Sequence, residues 1–572
     1  MSSILLLAVP LLPLLLAVFI GLHPGQARLN RLVPWAALPG LLLAALAPTG
    51  LEATFDSLLM GTHLAVDPTG RAFLALTAGL WLAAGLFALG ERRDDARRER
   101  FYVFWLLALA GNLGLVLAQD AASFYLFFSL MSLSAYGLVV HSGKPEAWRA
   151  GRVYLILAVL GEVLLLAGLL LAVHAAGQSS LAAVAAARPE GWALALLVVG
   201  LGIKAGMLPL HFWLPLAHPA APVPASAVLS GAMIKAGLLG WMRLLPLDAT
   251  GHAVLGETLV LLGLAAAFLG VLVGVLQVRP KTILAYSSIS QMGLMTVGIG
   301  LALLLPEARG WLLAAVTLYA VHHGLAKGAL FLTAGMQNQW PGTPLARAAF
   351  ALFTLLPALA LAGLPFTSGA LAKNTLKGPL APDALPGWLA HTELLLTLAA
   401  AGTTVLLLRF LWCWQAGLQA PANGLDRHRW WAWGALALTG LLLPFGVLAV
   451  GPGGLPVEPR DLYGLALLWP IALGLVLAGI AYQLIRDGET PRVPEGDLAA
   501  LAEAAWSGAR RTHRNLALPP PRPRRMPARL RLLRLKLRQR LEDAERVLTR
   551  WETIGLLFSA AMLGLYLTLL VE

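Results

Sequence analysis

Runs of about twenty apolar residues recur from one end of this 572-residue chain to the other, separated by short polar breaks. That is the length an α-helix needs to cross the hydrocarbon core of a bilayer. Inside hydrocarbon only helices and closed barrels satisfy their own backbone, and the alternating ten-residue strands of a barrel are absent. The chain therefore reads as an all-α polytopic membrane protein. Composition agrees: 12% of residues are charged and 58% hydrophobic, against about 25% charged in ordinary soluble domains.

The apolar runs place spans near 3–22, 32–49, 71–90, 101–118, 121–141, 152–175, 191–210 and 224–245. Further spans follow near 256–277, 281–304, 311–335, 348–378, 392–415, 430–450, 462–485 and 553–570, about sixteen in all. Two are expected to be broken, at Pro209 in KAGMLPLHFWLP and at Pro365 in GLPFTSGALAK, because proline lacks the N–H that continues a helix. The first run lacks a basic n-region and an A-x-A cleavage site, so it reads as the first span.

Basic residues concentrated in short loops mark the cytoplasmic side. The loop ERRDDARRER, Glu91–Arg100, holds five arginines, and HSGKPEAWRAGR, QVRPK and LDRHR fall on the same side by count. The opposite loops carry Glu52, Asp56 and Asp67. This predicts a multi-pass protein of the cell (inner) membrane with both termini outside.

The stretch 486–552 differs in kind. It passes through LPPPRPRRMP, an extended polyproline-like segment. It then continues into ARLRLLRLKLRQRLEDAERVLTRW, where Leu530, Leu533, Leu537, Leu541, Ala544, Leu548 and Trp551 recur at spacings of three or four. One face is apolar and the others carry arginine, which predicts an amphipathic helix lying in the membrane interface on lipid headgroups or across neighbouring helices. Much of the +13 net charge lies here, so the charge does not indicate nucleic-acid binding.

One cysteine, Cys413, excludes intrachain disulfides and Cys-ligated metal clusters. No Walker A loop, dinucleotide fingerprint or HExxH is present. No cofactor site of the chain's own is expected, and redox cofactors would belong to partner subunits.

Against this apolar background stand Glu162, Lys204, Lys235, Lys327 and Lys373, with the pair His322–His323. One lysine at a helix centre costs about 2.5–3.5 kcal/mol on the insertion scale. Four of them are not explained by packing. Snorkelling accounts most readily for Lys204 and Lys373, near the helix breaks, and poorly for Lys235 and Lys327, about half-way along their spans. An amine held away from water can alternate between charged and neutral forms, and histidine suits a relay. Glu162, the acid at comparable depth, is a counter-ion for Lys204 or Lys235. The set reads as a proton path.

The segments KAGMLPLHFWLPLAHPAAPVPASAVLSGAMIKAG, RPKTILAYSSISQMG, HHGLAKGALFLTAG and GLPFTSGALAKNTLK resemble the antiporter-like subunits. That family includes proton-pumping membrane subunits of respiratory complex I, subunits of Mrp-type sodium/proton antiporters and membrane subunits of energy-converting hydrogenases. The resemblance covers about residues 60–415. Its wording is most similar to the hydrogenase-4 and formate-hydrogenlyase branch, and the layout resembles the distal complex I subunit that straps its neighbours.

The resemblance implies two inverted five-helix repeats, each with a broken helix, around a hydrated mid-membrane axis. It divides the chain into N-terminal helices (1–100), a first repeat (101–245), a second repeat (256–415), additional helices (430–485), the basic segment (486–552) and a final helix (553–572). By motif it assigns Lys204 to the first broken helix, Lys235 to the centre, Lys327 to the lysine after the histidines, and Lys373 to the second broken helix. His323 matches a relay histidine, and His322 is its neighbour. Two departures stand out. Ser129 in FYLFFSLMSLSAYGL occupies the place of the family's glutamate, with Tyr136 seven residues on, and Asn374 follows Lys373 where many relatives have aspartate. A serine can relay a proton but cannot hold a charge; Glu162 is the candidate substitute.

The implied function is a proton-translocating subunit among other membrane subunits of a complex I-like or hydrogenase-like assembly. The alternatives are a subunit of a multisubunit sodium/proton antiporter and a gradient-coupling membrane subunit of an inorganic-carbon uptake system.

Overall fold

The structure is a computed structural model. It describes residues 2–487, except 49, 59–60, 249–250, 381–383, 422–423, 451–461 and 465–466, together with 493–496 and 500. The expected amphipathic helix and the expected final span at 553–570 lie outside the described residues.

Ten described helices are long and apolar enough to cross a membrane: Ile4–Leu22, Pro68–Glu91, Arg98–Leu117, Ala121–Val139, Pro145–Ala176, Val223–Leu244, Ala253–Val275, Pro280–Leu304, Pro344–Ala362 and Gly387–Gln415. Helices Arg309–Ala334, Arg427–Val450 and Leu468–Asp487 have comparable length. The chain is a multi-pass helical membrane protein. Local sequence sets the helix starts. Proline occupies the first turn at Pro68, Pro145, Pro280 and Pro344, where its missing N–H is no loss. Asp67 and Asp120 cap their helices by accepting from Gly70 N and Ser123 N.

The region expected to span near 32–49 is shorter than that. A 3-10 turn, Pro34–Ala37, leads into a helix over only Leu38–Leu46. The chain then forms a hairpin in which Glu52–Phe55 pairs antiparallel with Thr62–Ala65. Four-residue strands are too short for alternation to be read from sequence, and the hairpin was expected as loop.

The helices approach closely where their contact stripe is glycine. Ala253–Val275 packs along Pro280–Leu304 through Gly256, Gly263 and Gly270 on one side and Gly293 and Gly300 on the other. A Cβ at Gly263, Gly270, Gly293 or Gly300 would strike the partner's backbone, and one at Gly256 would strike the Leu304 side chain. Small residues at heptad spacing are how membrane helices gain contact without a hydrophobic driving force.

Each end of the bundle is tied by a cluster of charged and polar side chains. At one, Arg243 donates to Ala118 O at 2.8 Å, Val116 O at 2.8 Å and Asp67 Oδ1 at 2.8 Å, capping the helix Arg98–Leu117. At the other, in the arginine-rich loop, Asp95 meets His141 Nε2 at 2.8 Å and Arg92 at 3.1 Å.

Burial works against the Asp95 carboxylate, yet hydrogen bonds from His141 and the Arg97 backbone, with the charges of His141 and Arg92, hold its pKa at about 2. Burial also pulls His141 below the ordinary histidine value, against the opposing pull of Asp95. The signs agree. A depressed histidine leaves the unfolded chain binding more protons as pH falls below about 6.5, so stability declines there, and the Asp95 contribution is lost below about 4. The melting temperature of the detergent-solubilised protein is expected to fall from pH 7.5 to pH 5, and His141→Gln to flatten that slope. Parallel slopes for the two proteins would remove His141 from the account.

Candidate proton-handling site

The two expected breaks coincide with two interrupted helices. One is Gly191–Ala205 followed by Trp213–Ala220, and the other is Pro344–Ala362 followed by Ser368–Lys377. Gly206 and Gly363 end the first halves in left-handed backbone, with φ of 75° and 95°, a conformation glycine adopts without penalty. The breaks position the first and last lysines; a third irregularity positions Lys235. Residues Leu229–Met233 form a π turn.

The Lys204 amine is buried and lies 3.2 Å from Ser132 Oγ and 3.2 Å from the Tyr154 hydroxyl, with Tyr154 itself donating to Ser132 O at 2.7 Å. Glu162 is buried beside Ser129 and Ser132, and Lys204 is the charge that acts on it. The sequence left Glu162 open between Lys204 and Lys235; the structure groups it with Lys204. Ser129 borders the same carboxylate. A cavity of about 10 Å³ lies against Ser132, Tyr154 and Lys204, at the lower limit for one water.

The second group is central. Lys235 Nζ donates to Ser230 O at 2.6 Å and meets His323 Nδ1 at 2.7 Å. The π turn supplies that carbonyl, because Ile234 N–H reaches back five residues to Leu229 O. Lys327 Nζ donates to Leu284 O at 2.8 Å. Between the two lysines run Ser230 Oγ, 2.8 Å from Ser288 Oγ, and Ser288 Oγ donating to Leu284 O at 2.9 Å. All of these side chains are fully buried.

A third group surrounds the second break. Lys373 Nζ donates to Leu361 O at 2.9 Å and Ala362 O at 2.7 Å, the last carbonyls of its first half-helix. His322 Nδ1 lies 2.7 Å from Ser368 Oγ, so it faces this group while its neighbour His323 faces Lys235. A cavity of about 30 Å³ touches Tyr319, Lys373, Lys377 and Thr397. The Tyr319 hydroxyl donates to Gln291 Oε1 at 2.9 Å.

Ser132, Tyr154, Ser230 and Ser288 were not singled out from the sequence, since hydroxyl residues in membrane helices are common and only their partners distinguish these. His218 was also passed over. It is fully buried, stacked on Phe331 at 4.6 Å, with no hydrogen bond from either ring nitrogen among the described residues. Among the described residues no group of three or more His, Cys, Asp or Glu is placed to hold a metal ion.

Residues 118–397 match the family model described as NADH:quinone oxidoreductase/Mrp antiporter, transmembrane. That stretch is similar to the membrane subunits this model describes. The fold is shared with the Mrp complex of Dietzia sp. DQ12-45-1b, with TM-score 0.70 and 23% identity over 96% of this chain and 63% of that one. The chain is 27% identical to a Na(+)/H(+) antiporter subunit of Alkalihalophilus pseudofirmus, over 66% of this chain and 80% of that protein. It is 34% identical to hydrogenase-4 component B of Escherichia coli, over 46% of this chain and 42% of that protein. Two Mycobacterium tuberculosis proteins, 33% identical, are likewise spanned over 45% of their length.

The geometry of the second break depends on Gly369, where a Cβ would collide with Ala360 O and approach His322 Cε1 at 3.1 Å. Gly369→Ala must push the two half-helices apart. Its melting temperature in detergent is expected to fall by several degrees, consistent with overpacking of about 1–3 kcal/mol; an unchanged value would mean that the half-helices are not held at this contact.

Proposed function

We propose that this chain is a proton-translocating membrane subunit of a complex I-like or energy-converting hydrogenase-like assembly. In this reading it moves protons along a mid-membrane axis of Glu162, Lys204, Lys235, His322, His323, Lys327 and Lys373, with Ser129 as a relay position. The observation that carries the reading is the 2.7 Å contact between the buried Lys235 amine and His323, with the hydroxyl pair Ser230–Ser288 and Leu284 O lying between it and the buried Lys327. Two ammonium groups so placed repel, which links the charge state of one to that of the other. Linked charge states are what a coupled pump requires. The same axis serves a multisubunit sodium/proton antiporter, and the 80% coverage of the Alkalihalophilus pseudofirmus antiporter protein favours that as the second reading.

The accompanying architecture is two inverted repeats over 101–245 and 256–415, about sixteen spans, both termini outside, and a cytoplasmic basic segment over 486–552 resting on lipid headgroups. The two interrupted helices, one in each proposed repeat, support this arrangement. Other membrane subunits are the expected partners, with any redox cofactors held there.

Lys235→Ala is expected to reduce proton movement at least tenfold, measured by a pH-sensitive dye in vesicles containing the assembled complex, while insertion and assembly stay normal. Undiminished movement in an assembled variant would remove Lys235 from the path.

The acid beside Lys204 gives a second test. Glu162→Gln is expected to impair transport strongly. Adding Ser129→Glu to it should recover a measurable part, because the new carboxylate borders the same pocket. A double variant no better than Glu162→Gln alone would show that the two positions are not interchangeable.

A further inference from the structure

We infer that a groove between three helices on the basic side of the molecule is a phospholipid site, with the phosphate on Arg409 and an acyl chain along the groove. Helices Ala253–Val275, Thr392–Gln415 and Leu468–Asp487 leave a cavity of about 250 Å³ whose walls include Val275, Val405, Leu408, Leu475 and Ala478. An apolar void of this size stays dry and takes apolar ligands rather than water.

One end of the groove is polar. Arg409 lies there, its Nε donating to Gln277 O at 3.1 Å and its guanidinium 4.9 Å from the Trp412 ring. Its terminal nitrogens take no carboxylate among the described residues. Arg409 is six residues from the end of its helix, about 9 Å at 1.5 Å per residue, a depth from which an arginine reaches the headgroup layer. Gln277 precedes Arg279, which belongs with Lys281, Glu91 and Arg92 to the arginine-rich end of the bundle. Beside Arg409, Trp412 and Tyr482 pack edge to face at 4.8 Å, 36% and 44% exposed. Such an aromatic pair marks the membrane–water interface. A guanidinium at headgroup level above a dry aliphatic groove matches the two parts of a phospholipid, and arginine favours phosphate as a ligand. Gly479 lines the groove, and a Cβ there would meet nothing within 4 Å, so the groove is open where the chain would lie.

The test uses the full chain purified in mild detergent, with phosphatidylglycerol carrying a diazirine in one acyl chain. Photolysis followed by peptide mapping is expected to label residues around Leu475–Tyr482. Diacylglycerol with the same diazirine should label several-fold less, and Arg409→Ala should bring the phosphatidylglycerol signal down to that level. Gly479→Leu, whose Cβ meets nothing within 4 Å and whose side chain would occupy the groove, should abolish labelling while the elution profile of the protein is unchanged. Equal labelling by the two lipids, or labelling that survives Gly479→Leu, would overturn the assignment. Cross-linking of residues 553–570 to this groove in native membranes would also overturn it, by giving the groove a protein occupant.

Discussion

An amine in the middle of a bilayer has to be given an oxygen or nitrogen by the protein, because hydrocarbon offers none. A regular helix has few to give, since its carbonyls are already bonded to its own N–H groups. The irregular places in this fold are where acceptors become free. The π turn at Leu229–Met233 releases Ser230 O to Lys235, an example of the π bulge as a functional device. The break after Ala362 releases Leu361 O and Ala362 O to Lys373. Lys327 shares Leu284 O with Ser288. Among the described residues Lys204 takes no such carbonyl and relies on the side chains of Ser132 and Tyr154.

The serine bridge in the centre follows from the same need. Ser230 offers its carbonyl to Lys235 and its hydroxyl to Ser288, so one residue serves both the amine and the link toward Lys327. Hydroxyls can rotate and exchange donor and acceptor roles, whereas carbonyls cannot pass a proton. Ser230 Oγ and Ser288 Oγ are therefore the exchangeable groups lying between the two central lysines, while the carbonyls of Ser230 and Leu284 hold the amines in place.

Much of this was legible in the sequence, and the illegible part has a physical cause. Twenty-residue apolar runs announced the long helices, and proline announced both breaks, because each acts through local backbone chemistry; the glycines that end the first halves, Gly206 and Gly363, were not singled out. The lysines were visible as charges in apolar runs. Their partners were not, since Lys235 and His323 are 88 residues apart and nothing local couples them. Glu162 shows the boundary well. Its depth was readable, but its choice of Lys204 over Lys235 depends on how Pro145–Ala176 packs on Gly191–Ala205, with Gly161 against Gly200 O and Gly200 against Gly161 O. The short hairpin at Glu52–Ala65 escaped because four-residue strands leave no periodicity to detect.

The two departures that the family resemblance implies, Ser129 for glutamate and Asn374 for aspartate, are not equivalent, and the two breaks explain why. Lys373 caps the end of a half-helix, where unsatisfied carbonyls carry roughly half a negative charge. It meets two of them directly, so its charge is held by backbone without an adjacent acid. Lys204 also sits at the end of a half-helix, but there Ile203 O is taken by the Trp213 indole at 2.9 Å. That carbonyl is occupied, and Lys204 faces hydroxyls, which carry no charge. A carboxylate is therefore required near Lys204 and not near Lys373. Glu162, on the next helix and acting on Lys204, meets that requirement.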